Sequence, residues 1–244
     1  MITIVLLKEH RQLLAGVPGV LSVSPTRTLL LAKVRAAAPV ELSLRDQNAS
    51  VLRLLDRFLL VCGDGQDQLA RLYTGFFSEI AERYESVIHP RQNVENIRSL
   101  LRIARAAPGQ DLVLDYGCGT GLAIRAGAAL SIGPDQFVGV DACPVMRRQA
   151  KLAGMRVLSP GQLRRCTRLT CAAVIASYVF HLPTAATGIE YAWQRLRPHG
   201  LLVGNCHKGQ GVAEIVAAVK GLGGKRVGVP QEDDRHGVYV GFRK

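Results

Sequence analysis

One segment, LVLDYGCGTG from Leu112 to Gly121, constrains the fold of this 244-residue chain more than any other feature. Its apolar start predicts a buried parallel strand that ends at Asp115. Glycines then stand at the alternate positions 117, 119 and 121, where they permit positive φ and let backbone amides approach a ligand closely. A helix is predicted from Leu122 to Ala129, with its N-terminus facing the same point. The segment therefore predicts a nucleotide-binding loop.

Strands and helices alternate after this segment, as they do in an α/β fold with a doubly wound parallel sheet. The turn QEDDRHG joins the last two predicted strands and is too short for a crossover helix, so the final strand is expected to be antiparallel. The seven predicted strands are Leu112–Asp115, Phe137–Asp141, Arg156–Leu158, Ala172–Ser177, Leu201–Cys206, Lys225–Val229 and Val238–Phe242.

Two helices are predicted to lead into this sheet. Apolar residues recur at helical spacing from Leu69 to Tyr84, with Asp67 as the expected N-cap, and a second helix is predicted from Asn93 to Ala106. In a later helix, Trp193 falls on the apolar face and is interpreted as core. The turn at 63–65 is the expected domain boundary, which gives a first domain of residues 1–65 and a second of residues 66–244.

The first 65 residues predict a small α/β or helical module. A helix is expected to start at Ser24-Pro25 and to end at Pro39. Residues Val40–Leu44 alternate like a half-buried strand, and apolar residues from Val51 to Leu59 indicate an amphipathic helix. The module is interpreted as a substrate-side cap, a dimerisation element or a small winged-helix-like binding unit, and the pattern does not choose among them.

The net charge of +12 makes anionic partners plausible, nucleic acid included. Seven basic residues and no acidic ones fall between Arg147 and Arg168, which indicates either a solvated basic face or a track for phosphates. The solvated face is the preferred interpretation, because net charge governs encounter more than identity.

Other features exclude several classes of protein. Apolar runs stay well below the roughly 18 residues of a membrane span, and the start of the chain lacks the basic flank of a secretory signal, so it is expected to belong to the fold. The six cysteines form no CxxC pair and the histidines show no zinc spacing. A reducing, cytoplasmic compartment and no metal site are expected.

A second acidic residue strengthens the case for a nucleoside ligand. Asp141 closes the apolar strand FVGVD twenty residues after Gly121, where nucleotide-binding α/β folds place a carboxylate on the ribose hydroxyls. A dinucleotide fingerprint would require glycine at Leu122, and a Walker loop would require Gly-Lys-Ser/Thr. Since both are missing, diphosphate ligands are disfavoured.

The glycine segment closely resembles motif I of the class I S-adenosylmethionine-dependent methyltransferases, a Rossmann-like superfamily. The resemblance continues in the family's order through GVDACPVM at 139–146, AAVIASYVFHL at 172–182 and LRPHGLLVG at 196–204. It covers roughly residues 93–244 and implies S-adenosylmethionine as the cofactor.

The resemblance also implies roles for single residues. Asp115, Gly117 and Gly119 would surround the methionine part of the cofactor, with Asp115 beside its ammonium group. Asp141 would hold the ribose hydroxyls. The remaining residues implied to line the site are Tyr116, Cys118 and Gly121 in the loop, Ala142 and Met146 near the adenine, and Ser177 and Tyr178 on the methyl-donor side.

The sequence says least about the methyl acceptor. A small molecule methylated at oxygen or nitrogen is the preferred interpretation, with His181 as the candidate base if the acceptor must lose a proton. Tyr73 and Tyr84 are interpreted as core rather than acceptor contacts. An RNA, DNA or protein methyltransferase and a non-catalytic cofactor-binding subunit are the alternatives. A homodimer through the N-terminal module is also possible.

Overall fold

The chain forms two compact units in a computed structural model, and they comprise Met1–Glu82 and Arg83–Lys244. The residues that the structure describes are 1–54, 57–63, 65–104, 112–180, 182, 188–207, 209–229 and 237–244.

The first unit is a five-stranded mixed sheet with the strand order β2-β3-β1-β5-β4. Its central strand β1 pairs antiparallel with β3 and parallel with β5. The elements are β1 (Ile2–Leu7), β2 (Val20–Pro25), β3 (Leu29–Val34), α1 (Ala38–Asp46), β4 (Ser50–Leu54), β5 (Phe58–Cys62) and α2 (Gln66–Ile80), with a short 3₁₀ helix at Lys8–Leu14. The start of the chain is therefore part of the fold.

The core of this unit explains why three sequence-based predictions for it are wrong. The predicted helix after Ser24-Pro25 is the hairpin of β2 and β3, because the apolar run 29–34 pairs on both edges with other strands. The predicted strand Val40–Leu44 is α1, in which those two residues, one helical turn apart, are buried beneath the sheet. Pro39 begins this helix instead of ending one.

The third wrong prediction is the amphipathic helix over residues 51–59. Described residues there form the antiparallel pair β4 and β5, in which Val51 lies opposite Val61. Leu55 and Asp56 lie outside the described residues.

The helix predicted from Leu69 is present as α2, and it sets the division between the units. Gly65 is its N-cap, and Asp67 lies in the first turn and not at the cap. Its buried side chains Leu72 and Phe76 face the first sheet, with the Phe76 ring 4.9 Å from that of Phe58. Because α2 packs on β1 and β5, the division falls after Glu82, whereas the sequence suggested residue 65.

The second unit is built on a seven-stranded sheet in the order β11-β12-β10-β9-β6-β7-β8. Its described helices and strands are α3 (Tyr84–Val87), α4 (Pro90–Ile103), β6 (Val113–Tyr116), α5 (Leu122–Ala128), β7 (Phe137–Val140), α6 (Pro144–Leu152), β8 (Arg156–Leu158), α7 (Pro160–Arg165), β9 (Cys171–Ser177), α8 (Ile189–Arg195), β10 (Leu196–His207), α9 (Val212–Gly221), β11 (Lys225–Val227) and β12 (Gly237–Arg243).

The topology confirms the predicted fold class. Strands β6 to β10 run parallel, and β12 is antiparallel to both β10 and β11. All seven predicted strands are found, six of them within about two residues of their expected bounds, while β10 begins at Leu196 and not at Leu201. Helix α4 begins three residues early because Pro90 starts it. Most of the turn before β12, residues 230–236, lies outside the described residues.

Three further observations concern the chain as a whole. Among the described residues, no helix combines the length and apolar character needed to cross a membrane. All six cysteines are described, and none of them forms a disulfide. Trp193 is buried in the core of the second unit, as predicted, and its indole nitrogen donates to the carbonyl of Leu222 at 3.2 Å.

Candidate functional site

The glycine loop lies where β6 ends and is tied to the neighbouring strand β7. The backbone amides of Gly117 and Cys118 both donate to the carbonyl of Val140, at 2.7 and 3.0 Å. Since β6 and β7 are parallel, their carboxyl ends share one edge of the sheet, where ligands of open α/β sheets bind.

Two glycines of the loop differ in what surrounds them. Gly117 has φ +80°, and a Cβ there would clash with Cγ2 of Val179, which follows β9. Gly119 has φ +51°, and a Cβ there would meet nothing within 4 Å. Of these two glycines, Gly117 is therefore required by packing, whereas the backbone at Gly119 borders open space.

Asp141 joins the loop to the end of β7 through its side chain. Oδ2 accepts from the amide of Gly119 at 2.9 Å, and Oδ1 accepts from the amide of Cys143 at 2.8 Å. Burial raises the pKa of this carboxyl, while the two amides and the nearby Arg147 oppose that shift. An ionised carboxylate has about four lone-pair positions, so acceptor capacity is left for a ligand.

Asp115, the single acidic residue of the segment Leu112 to Gly121, is almost fully buried in β6. Burial raises its pKa to about 7, with a smaller contribution from the negative charge of Asp141. A buried carboxylate in this setting is stabilised by a cation, because an opposite charge at close range favours its ionised form. The site is thus suited to a ligand that carries a positive group.

Two further side chains lie near Asp141, and neither was predicted from the sequence to belong to the site. Burial and the Asp141 charge raise the pKa of Tyr84 to about 12, which places this phenol near the carboxylate. Arg147 of α6 donates from Nη1 to the carbonyls of Asp141 and Ala142, at 2.7 and 2.8 Å. Tyr84 belongs to the surroundings of the candidate site, whereas Tyr73 is buried in the first unit.

The fold can be compared with solved structures. A methyltransferase from Aquifex aeolicus, described as dependent on S-adenosylmethionine, aligns with a TM-score of 0.51 at 15% identity over 70% of this chain and 97% of its own. This is the class I methyltransferase fold. CalS10 from Micromonospora echinaspora, an amino pentose methyltransferase, aligns with a TM-score of 0.49 at 19% identity over 66% of this chain and 96% of its own. No protein-family model and no curated protein matches the chain.

In this methyltransferase fold, the backbone just after β9 adopts an unusual conformation. Tyr178 has φ +54°, a left-handed conformation that is strained for a residue with a side chain. Its amide donates to Oδ1 of Asn205 at 2.9 Å. Asn205 lies in β10 opposite Ser177 and is fully buried. The asparagine therefore holds Tyr178 in a conformation that its own side chain disfavours.

The phenol of Tyr178 is held from a second element. Nδ2 of Asn96, a buried side chain of α4, donates to the Tyr178 hydroxyl at 2.7 Å. Oδ1 of Asn96 accepts from Gln92 at 3.0 Å, and the Tyr239 hydroxyl lies 3.5 Å from the same oxygen. The Tyr178 ring also meets that of His207 edge to face, with centroids 6.2 Å apart. Both ends of Tyr178 are thus fixed by buried asparagines.

The structure brings most of the sequence-predicted residues to one end of the sheet. Asp115, the glycine loop and Asp141 lie together as described. Ser177 and Tyr178 lie close to the loop, because the side chain of the next residue, Val179, packs against Gly117. Ala142 is exposed just after β7, and Met146 is buried on α6. Tyr116 and Cys118 are desolvated, which raises the pKa of each side chain, that of Tyr116 to about 12. His181 lies outside the described residues.

Within the described ranges, no group of three or more His, Cys, Asp or Glu side chains is arranged to hold a metal ion.

One of the residues that sequence reasoning missed, Asn205, could have been found from the sequence. Asn205 stands within the apolar run of β10, where a polar side chain requires a buried partner. Asn96 and Tyr84 gave no such signal, because polar and aromatic residues are ordinary on amphipathic helices.

Proposed function

We propose that this protein binds S-adenosylmethionine and transfers its methyl group to the oxygen or nitrogen of a small molecule. The observation that carries the proposal is the convergence of the glycine loop, Asp115 and Asp141 at the carboxyl ends of β6 and β7 in a methyltransferase fold. The proposed acceptor rests on the sequence alone.

The residues present fit the cofactor in four respects. The buried carboxyl of Asp115 would hold the ammonium group, and the remaining acceptor positions of Asp141 would hold the ribose hydroxyls. The backbone at Gly119 borders open space, so a ligand would meet no side chain at that point. The hydroxyl of Thr120 is buried and, among the described residues, has no hydrogen-bond partner, so a bound ligand would supply one.

When bound, S-adenosylmethionine supplies a sulfonium-activated methyl group. Holding donor and acceptor in line accounts for most of the acceleration in such a displacement, and a dedicated base is optional. In this proposal Tyr178, fixed by Asn96 and Asn205, borders the acceptor side. His181 stays a sequence-based prediction for a base, tested by His181→Asn with an acceptor that must lose a proton.

Cofactor binding is tested by calorimetric titration with S-adenosylhomocysteine, with NAD⁺ as a control ligand. We expect binding of the former only. Asp141→Asn should weaken binding at least tenfold, whereas Asp135→Asn, which changes an exposed carboxylate of the same unit, should leave it unchanged. Equal affinity in Asp141→Asn and the unaltered protein would contradict the ribose assignment.

The acceptor is tested separately, by mass spectrometry of methylated products across small-molecule, RNA, DNA and protein libraries. Products confined to small molecules support the proposal. A methylated polymer would replace it with the polymer alternative, and tight cofactor binding with no product in any library would favour a non-catalytic subunit.

We propose two further properties of the whole chain. The cysteine pattern favours a reducing, cytoplasmic compartment. The first unit is proposed to join two copies of the chain, since its edge strand β2 leaves Leu21 and Val23 exposed. Light scattering should then report a dimer that Val23→Lys dissociates, and a monomeric unaltered protein would contradict the dimer.

A further inference from the structure

The positive charge of this protein is concentrated in one of its two units. Residues 1–82 carry 9 Lys and Arg against 8 Asp and Glu, whereas residues 83–244 carry 22 against 11. Seven of these basic residues fall between Asp141 and Glu190, an interval that holds no acidic residue. Positive charge is therefore concentrated in the second unit and, within that unit, in the interval between Asp141 and Glu190.

The fold gathers six of the seven at one edge of the sheet. Strand β8 is the edge strand beside β7, and both α6 and α7 pack against it. All six residues are exposed, and we call them together the β8-edge basic surface. They are Arg148 and Lys151 on α6, Arg156 in β8, Arg164 and Arg165 on α7, and Arg168 just after α7. The seventh, Arg147, bonds to the carbonyls beside the candidate cofactor site.

In the described part of the chain, none of these six residues forms an ion pair with an acidic side chain, and the acidic group beside them is Glu190, which hydrogen-bonds to Tyr191. The ion pairs found there involve other arginines, namely Arg53, Arg71, Arg98 and Arg125. The guanidinium of Arg164 lies 5.6 Å from the ring centroid of Tyr191, a contact that orients it without cancelling its charge. Five of its six cations are arginine, the residue best suited to bidentate phosphate contacts.

The chemistry of the surface favours a nucleic acid over a membrane. An interfacial helix needs a continuous apolar face for insertion beside its cations. On α6 the apolar residues Met146 and Ala150 are buried, and Leu152 is its one exposed large apolar side chain. A surface of cations without an apolar stripe can neutralise a line of phosphates but has little to insert into lipid.

We propose that the β8-edge basic surface binds the phosphate backbone of a nucleic acid. The surface lies at the β8 edge of the sheet, three strands away from β9. The proposed acceptor side is at β9, so the surface is separate from it. It is a docking surface in its own right and does not depend on the proposed methyl transfer.

Fluorescence polarisation with a labelled single-stranded RNA and a labelled DNA duplex, without cofactor, tests the proposal. We expect the affinity for at least one probe to fall steeply with salt, since each phosphate contact steepens the slope of log affinity against log salt by about 0.9 for a DNA duplex and about 0.7 for a single strand. The triple variant Arg164→Gln, Arg165→Gln, Arg168→Gln should bind at least tenfold more weakly. A second triple, Arg148→Gln, Lys151→Gln, Arg156→Gln, should show a similar loss.

The matched control neutralises three exposed cations at the other edge of the same sheet: Lys220→Gln, Lys225→Gln, Arg226→Gln. It should bind within about threefold of the unaltered protein, although its loss of charge is the same. S-adenosylhomocysteine titration of all variants separates this test from the proposed function, because neither triple removes a residue placed in the cofactor site.

Three outcomes would overturn the proposal. The first is no salt-dependent binding of either probe at low salt, and the second is an equal loss in the control and the β8-edge triples, which would indicate diffuse charge. The third is sedimentation of the protein with vesicles rich in phosphatidylserine, through the β8-edge residues, while neither nucleic acid binds.

Discussion

At the scale of single residues, the raised pKa of Asp115 links ligand binding to pH. Burial places this pKa at about 7 in the free protein, so the carboxyl is largely protonated below that pH. A ligand ammonium binds the ionised form, and binding at lower pH must expel a proton. The pH dependence of affinity therefore reports directly on Asp115.

We expect the affinity for S-adenosylhomocysteine to level off near pH 8, before the ligand ammonium itself loses its proton, and to fall by up to about tenfold per pH unit below pH 7. Asp115→Asn should bind weakly at every pH and show a flat profile. Calorimetry in two buffers of different ionisation enthalpy would also detect the released proton. A profile that stays steep in Asp115→Asn would assign the linkage to another group.

A second prediction at this scale separates two neighbouring glycines. Gly117→Ala introduces a methyl group into Val179 at a left-handed φ, while Gly119→Ala introduces only the backbone strain. The expected loss in free energy of unfolding is about 1–2 kcal/mol for Gly119→Ala and about 1–3 kcal/mol more for Gly117→Ala. Urea unfolding measures both. Equal losses would show that Val179 does not pack on the loop.

At the scale of elements, the end of β9 depends on β10. Asn205→Ala removes the acceptor for the Tyr178 amide and should lower the free energy of unfolding by about 1–3 kcal/mol, because a buried amide is left unpaired. Tyr178→Gly should lower the free energy of unfolding less in the Asn205→Ala variant than in the unaltered protein, because glycine adopts the left-handed conformation without the Asn205 contact. A double-mutant cycle with zero coupling energy would contradict this dependence.

The elements also show how far sequence alone leads. The second unit was predictable because buried parallel strands read as continuous apolar runs, and because the glycine loop and Asp141 fix their own positions by backbone geometry. The first unit was not, since short apolar runs such as 29–34 suit either a helix or a strand until their partners are known. Asn96 and Asn205 act through contacts between elements far apart in the chain, which no local pattern encodes.

At the scale of the whole molecule, the division after Glu82 predicts the behaviour of fragments. In a fragment of residues 66–244, the apolar face of α2, with Leu72, Phe76 and Ile80, would lose the sheet on which it packs. We expect that fragment to aggregate and a fragment of residues 83–244 to stay soluble and fold cooperatively. Size-exclusion chromatography and thermal unfolding compare the two. A soluble, cooperative 66–244 fragment beside an unfolded 83–244 fragment would place the division at residue 65.

The measurement that tests the central claim most directly is a crystal structure of the protein with S-adenosylhomocysteine. We predict the ribose hydroxyls within about 2.5–3.2 Å of the Asp141 carboxylate, the amino group beside Asp115, and ligand atoms in the open space at Gly119. A ligand bound elsewhere, or one whose ribose makes no contact with Asp141, would contradict the account.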